Sequence, residues 1–254
     1  MKNLRFSAGS NIRVALPAMA ALFLVLNSAA AGNLDPDLSE PPVISSARYG
    51  SDVSAFYLGL TAGYSTSGSD RFGLTTPTDT FAVGELDLTG SYGGIRGGWR
   101  GLLPAKGGRD YVYGVELGYD FGSLDDEVST QIGTSVVNGG SEISDVISIR
   151  FRNGLTNPSG RVLYFISVGY VHGDITTTSS ITSGATTQSF QDKDSRKGFS
   201  ASIGAEHKLN ENWSITGEYE YVRFDSETVE FDNGFTTKST PRYRGLRFGL
   251  NYQF

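Results

Sequence analysis

Cysteine is absent from the 254 residues, and histidine, methionine and tryptophan occur only twice each. The first absence excludes disulfides and thiolate metal sites, and it leaves an oxidising compartment permitted but not required. Basic charge is also short: 21 Lys and Arg stand against 27 Asp and Glu, for a net charge of −6. Such a chain lacks the basic face that supplies most of the affinity for nucleic acid, so no nucleic-acid partner is expected. Nor does any apolar run reach the ~20 residues that a membrane-spanning helix needs. The longest, residues 14–26, contains Pro17.

That run fits a different role. Lys2, Arg5 and Arg13 precede it, and the small-residue stretch Asn27, Ser28, Ala29, Ala30, Ala31, Gly32 follows it. A charged start, a short apolar centre and a small-residue end are the parts of a secretory signal peptide. Residues 1–31 are therefore expected to be removed after Ala31, the alternative being a retained amino-terminal anchor. Removal takes away those three bases and no acid, which lowers the net charge to −9 and leaves a chain of one-domain size. Residues 32–53 carry Asp35, Pro36, Asp37, Glu40, Pro41 and Pro42. Because Pro cannot donate to a strand ladder, this stretch reads as an extended acidic leader on the periplasmic side. A solvated tail and a periplasmic contact or partial plug both fit it.

In excess are Gly, at 33 residues, and aromatics, with 13 Tyr and 15 Phe. Gly well above its usual ~7% suits closely curved strands, and the aromatics suit girdles at a membrane interface. The last residues, F-G-L-N-Y-Q-F, alternate large apolar side chains with small or polar ones. In a strand of a membrane barrel every second side chain touches lipid while its neighbours face the lumen. Phe248, Leu250, Tyr252 and Phe254 form the outward set.

Eight segments alternate in this way, near residues 54–64, 87–99, 111–121, 142–153, 161–172, 198–208, 213–224 and 242–254. Each is long enough for the ~9 to 11 residues of a tilted membrane-crossing strand. The expected fold is all-β, an eight-stranded antiparallel up-and-down transmembrane barrel over residues 54–254. Connections after the odd segments are long and those after the even segments short, which is the known contrast of long extracellular loops with short periplasmic turns. Gly63-Tyr64, Gly118-Tyr119 and Gly169-Tyr170 recur near the ends of odd segments, with each Gly inward and each Tyr outward. Trp99 and Trp213 stand at the opposite rim.

Assigning the largest apolar residues outward leaves Arg96, Glu116, Arg150, Arg152, Glu206, Glu218, Glu220 and Arg247 facing the lumen. Four acids and four bases balance, as a closed interior filled by side chains requires. Adjacent segments would pair Arg96 with Glu116 and Glu218 with Arg247. Charges near strand ends, Arg152 and Glu220 above all, could instead be solvated at the rims.

These stretches resemble the outer-membrane β-barrel superfamily that includes the transmembrane domain of outer-membrane protein A, the opacity proteins and small alphaproteobacterial surface proteins. The resemblance covers residues 54–254 and rests on G-V-E-L-G-Y-D-F at 114–121, S-I-R-F-R-N-G-L at 148–155, G-A-E at 204–206, G-E-Y-E-Y at 217–221 and G-L-N-Y-Q-F at 249–254. It implies insertion in the outer membrane of a Gram-negative cell, a lumen network at positions like Glu116, Arg150, Glu206, Glu218 and Arg247, and a carboxy-terminal strand read by the barrel assembly machinery. Outer-membrane lipids and lipopolysaccharide are then the expected surroundings, and a monomer the expected state. Larger members carry a peptidoglycan-binding domain after the barrel; here the sequence stops at the last segment, so anchoring by that route is not expected.

Chemistry has little to work with. His172, at the outer end of segment five, is followed by Gly173 and Asp174, and His207 lies near the opposite rim. Lipid A deacylases on comparable barrels use a lipid-facing Ser, His and acid, which would make His172, Asp174 and a nearby Ser the candidate. No Ser follows the His at the spacing such a site uses, and no catalytic residue, cofactor or metal is expected. The acidic runs Asp125, Asp126, Glu127 and Asp225, Glu227, Glu230, Asp232 match no calcium loop. Lys193, Arg196 and Lys197, at the end of the third long loop, form a surface charge cluster that could contact lipid phosphates directly. The favoured reading is a non-catalytic structural barrel that displays its loops for adhesion or surface recognition. A small passive pore is the alternative, and a lipid A-modifying enzyme the weaker one.

Overall fold

A computed structural model describes residues 54–254 except 69, 78, 232 and 233. The expected signal peptide (1–31) and leader (32–53) lie outside the described residues. Among those described, no helix is long and apolar enough to cross a membrane. The described residues are built almost entirely of strands. In order these are β1 (Ser54–Ser67), β2 (Asp70–Thr75), β3 (Thr80–Leu86), β4 (Gly90–Pro104), β5 (Asp110–Ile132), β6 (Ser135–Thr156), β7 (Val162–Ser183), β8 (Thr186–Lys208), β9 (Trp213–Phe224), β10 (Glu227–Glu230), β11 (Thr236–Ser239) and β12 (Arg242–Gln253). Eight of them close a ring in the order β1-β12-β9-β8-β7-β6-β5-β4, every pair antiparallel.

Period-two alternation decides which face each residue takes. On β5, Val115, Leu117, Tyr119 and Phe121 are exposed while Glu116 and Asp120 between them are buried. β12 repeats the pattern, with Leu246, Phe248 and Leu250 exposed around buried Arg247 and Asn251. The exposed apolar residues form a belt around the ring, the surface a lipid-embedded barrel presents. At one end the strands are joined by short turns built from local polar chemistry. Asn157 Oδ1 accepts the Val162 amide, and Asn210 Oδ1 accepts the amides of Asn212 and Trp213.

The other end differs from the expectation. Two long connections expected as loops, after residues 121 and 172, continue as strand: β5 and β6 run on to a turn at 133–134, and β7 and β8 to one at 184–185. Gly133 (φ 62°) and Gly184 (φ 59°) each take the first of the two turn positions, where type II′ geometry needs positive φ. Thr- and Ser-rich sequence on the way suits strand as well as loop. Paired bulges, between Asp120 and Ser123 on β5 and between Ser144 and Ile147 on β6, mark the level where the extension begins. Such bulges bend strands and increase twist.

The remaining two long connections fold into the hairpins β2–β3 and β10–β11. They join through β11 and β2 into a four-stranded sheet, β10-β11-β2-β3. Its inner face packs on the extension of β5 to β8, with Phe72, Leu74, Val83, Leu86, Val229 and Phe231 meeting Val137, Ile181 and Phe190. A separate apolar layer lies below it inside the ring, made by Tyr92, Leu124, Ile143, Val146, Val171, Ile175, Val222, Phe224, Tyr243 and the fully buried Leu88.

Candidate functional site

The same alternation that exposes the belt gathers ten inward charged groups, from six strands, into one network. Glu116 accepts Tyr57 Oη (2.7 Å) and Arg150 Nε (3.1 Å), with Arg96 Nη1 at 3.5 Å and Arg152 Nη1 at 3.8 Å. Arg150 Nη2 also reaches Glu116 Oε1. Glu218 takes Arg96 Nη1 (3.0 Å), Arg150 Nη1 (3.4 Å) and Ser202 Oγ (2.8 Å). Toward the turn end, Glu206 takes Arg100 Nη1 (2.7 Å), Arg152 Nη1 (3.3 Å) and Ser214 Oγ (2.7 Å). Toward the extended end, Arg247 Nη2 bridges Asp120 and Glu220, both at 2.8 Å, and Tyr92 Oη donates to Glu220.

Each charge thus meets at least one opposite charge, and most meet two, the condition under which buried ions persist. Aromatic rings complete the packing: the Arg152 guanidinium lies 3.5 Å from the Phe165 ring centroid and that of Arg247 5.1 Å from Tyr92. Gly98 makes room for one of these rings, since a Cβ there would come within 2.6 Å of the Tyr57 ring. The Tyr57 hydroxyl reaches Glu116 only because that neighbour has no side chain.

All eight residues singled out in the sequence are buried, and the structure brings them together in one connected cluster. The expected partners are only partly those found. Arg96 lies near Glu116, but Arg247 does not take Glu218. The two are Cα partners across β12 and β9, yet the guanidinium extends toward Asp120 and Glu220 while Glu218 is held by Arg96 and Arg150. Long side chains lean along the strand and skip the facing residue. Asp120 and Arg100 were absent from the expected set; with them this network holds five acids and five bases. Both were within reach of the pattern, each standing four residues after an inward charge, Glu116 and Arg96, on the same strand.

Arg196 requires a correction. Expected at the surface beside Lys193 and Lys197, it is only 2% exposed, because residue 196 falls on the inner face of β8. Its Nε lies 3.5 Å from Glu227, at the foot of the cap, and Nη1 3.5 Å from the Ser239 carbonyl. Nearby, Asp70 accepts the Thr240 amide (2.8 Å) and Ser239 Oγ (3.2 Å). Burial nonetheless raises its carboxyl above the ordinary aspartate value.

On the outer face, Asp174 does come close to a serine. Ser195 Oγ donates to it at 2.8 Å and Lys193 Nζ lies at 3.2 Å, and these two hold its carboxyl below the ordinary range. A hydroxyl that donates straight to a carboxylate has no imidazole taking its proton, and acyl-transfer chemistry needs the base between the two. His172 stands opposite Lys197, and His207, exposed, opposite Ile215 near the turn end. No group of three or more His, Cys, Asp or Glu among the described residues could hold a metal.

A family model described as "Outer membrane protein beta-barrel domain" matches residues 19–254. The 31 kDa outer-membrane immunogenic protein of Brucella melitensis biotype 1 is 28% identical over 253 residues, which is 95% of this chain and 99% of the relative. Among solved structures, Neisserial surface protein A matches 78% of this chain and 97% of its own at 12% identity and a TM-score of 0.33. A major outer membrane protein from Thermus thermophilus matches 79% of this chain and 100% of its own at 15% identity and a TM-score of 0.42.

Proposed function

Because the chain belongs to the family of outer membrane protein β-barrel domains, we propose that it is a non-catalytic, monomeric surface barrel whose capped, extended end is displayed outside the cell. Residues 1–31 direct its export and are removed, and residues 32–53 are a leader on the periplasmic side. Its work is structural and presentational, through adhesion or recognition at the capped end. Phe248, Leu250, Tyr252 and Phe254 present the carboxy-terminal strand to the barrel assembly machinery.

One observation carries the reading: three stacked layers fill the axis. The ion-pair network occupies the middle of the barrel, the layer around Leu88 lies beyond it, and the cap core around Phe72 and Phe231 lies beyond that. An eight-stranded barrel is just wide enough to be filled by side chains, so such packing leaves no continuous aqueous column. This weighs against the passive pore. The immunogenic character named for the Brucella relative supports exposure of part of the fold at the surface.

Single-channel recording of the refolded protein in planar bilayers tests the packed lumen. A flat baseline is expected across the voltage range in which the membrane itself is stable. Reproducible unitary steps from the parent protein would overturn the reading in favour of a pore.

A further inference from the structure

The extension of β5 to β8 has two lateral edges, and they are finished differently. On the β5 side Thr89 and Asp125 exchange backbone bonds (3.3 and 3.1 Å), and the Asp87 amide donates to Asp126 Oδ2 (2.6 Å), so that edge is met by the chain entering β4. On the β8 side the pairing stops early. β8 keeps unbroken register with β7 from Thr186 to His207, whereas β9 accompanies it only from Gly198 to Lys208. The chain leaves at Asp225, whose amide donates to the Lys197 carbonyl (2.8 Å), and β10 pairs with β11 alone.

Backbone alternation fixes which groups are left open. The Lys197 carbonyl points away from β7, and the Lys208 amide points toward it, donating to the Arg161 carbonyl (2.9 Å). With no bulge between them, odd residues of β8 turn N–H and C=O to the open side. The Ser195 amide is taken by Asp194 Oδ1 (2.8 Å). Thr187, Ser189, Gln191 and Lys193 remain, and among the described residues no backbone group meets them on that side. Proteins ordinarily guard such an edge with charge, Pro or a bulge. Here residues 186–191, T-T-Q-S-F-Q, carry none of these.

This edge is complementary to itself. Two copies related by a two-fold axis through Phe190 set Thr187 against Lys193, Ser189 against Gln191, Gln188 against Asp192 and Phe190 against its own copy. Every charged residue of one copy then faces a neutral one of the other, and like charges directly opposite are what destabilise such pairs. The two Phe190 fall at a non-hydrogen-bonded position, where facing side chains come closest. Each ring already lies 6.1 Å from those of Phe231 and Phe235. Because the open groups belong to odd residues only, the axis moves in whole-residue steps. One step toward the tip parts the two Phe190. One step toward the barrel sets Phe190 against Asp192, and two set Asp192 against its own copy.

We propose that the free edge of β8, residues 187–193, pairs antiparallel with the same edge of a second copy of this chain. The inference rests on the surface-barrel reading and names the partner of its displayed end. Barrel strands are tilted ~35–45° from the axis, so two copies in one membrane cannot bring these strands antiparallel. The pair therefore joins barrels in facing membranes, tip past tip, and each remains a monomer in its own. The capped end is thus a self-recognising adhesive surface.

Site-specific cross-linking of the full chain, refolded in detergent micelles, tests the pairing, because the sequence has no Cys of its own. Gln188→Cys and Asp192→Cys proteins, mixed and oxidised, should form a disulfide dimer, since facing residues at a non-hydrogen-bonded position meet the Cα separation of a disulfide. Gln188→Cys alone should not, its two copies being offset by four residues, or ~13 Å. Adding Gln191→Pro to both proteins should cut the yield about tenfold or more, because each copy loses an N–H that crosses the pair but bonds to nothing within the monomer. Heat-modifiable mobility establishes that every variant is folded. Equal cross-linking of mixed and single variants, no dimer from the mixture, or a yield untouched by Gln191→Pro would each overturn the pairing. Phosphatidylcholine vesicles carrying the parent should aggregate, and those carrying Gln191→Pro should not. Vesicles that stay apart with the parent, or aggregate equally with both, count against a pair between facing membranes. Neither measurement depends on which end of the barrel faces the cell exterior, so failure here is distinct from failure of the surface-display reading.

Discussion

At the scale of single residues, Arg247 makes the sharpest claim. It is 3% exposed and is the ion-pair partner that Asp120 and Glu220 share, with Glu220 also taking the Tyr92 hydroxyl. Replacing Arg247 by Leu strands two carboxylates in a poorly solvated interior. Breaking a buried pair by removing one partner typically costs ~3 to 5 kcal/mol, more than the pair itself contributes. Combining Arg247→Leu with Asp120→Asn and Glu220→Gln should therefore recover much of the loss, although it removes more charge. Urea unfolding in phosphatidylcholine vesicles measures parent, single and triple variants. A single variant as stable as the parent would mean that Arg247 is solvated and the lumen open. The residue scale also shows where reading by pattern stops. Alternation gives the face of Arg247, but which carboxylate it meets depends on how its side chain leans, and sequence carries no signal for that.

At the scale of elements, the eight crossing strands were legible because each buries one face and exposes the other to lipid, a contrast of period two that survives in the residue order. What lay beyond the belt was not. Past residue 121 both faces meet water or a small local core, so Ser and Thr can stand on either side and the strand loses its contrast. The β5–β6 and β7–β8 extensions therefore read as loops until the chain is seen paired. The cap sheet was less legible still, because it joins β2 to β11 across more than half the chain through a single register pair, Thr236 with Thr75. The last strand was clear at every level. Phe254 is 68% exposed and its amide donates to the Phe56 carbonyl at 3.0 Å, so the final residue both closes the ring against β1 and presents an outward aromatic. Deleting Phe254 should lower the yield of membrane-inserted barrel in cells, read from the heat-modifiable band on gels, while refolding in detergent is less affected. Normal insertion in cells would remove Phe254 from any role in assembly.

At the scale of the whole molecule, the two ends of the barrel are unequal. One closes in three turns, at 105–109, 157–161 and 209–212, and the other carries β5 to β8 onward with a second sheet packed across them. From Gly198, where β9 pairing starts, to Thr186 at its tip, β8 runs twelve residues, or ~40 Å along the strand at ~3.3 Å per residue. We take this long extension with its own apolar core as the exterior end, because outer-membrane barrels place long segments outside and short turns in the periplasm. The tips are also where added residues are best tolerated: Gly133 and Gly184 occupy exposed turns, and a Cβ at either would meet nothing within 4 Å. An epitope inserted after Gly184 should therefore be stained by antibody on intact cells. One inserted after Lys106, in the exposed turn between β4 and β5, should be stained only after the outer membrane is permeabilised. Heat-modifiable mobility of both insertion variants establishes that each barrel has folded before the comparison is made. If the Lys106 epitope is the one reached on intact cells, the capped end faces the periplasm, and surface display fails even though the barrel and its sealed lumen stand unchanged.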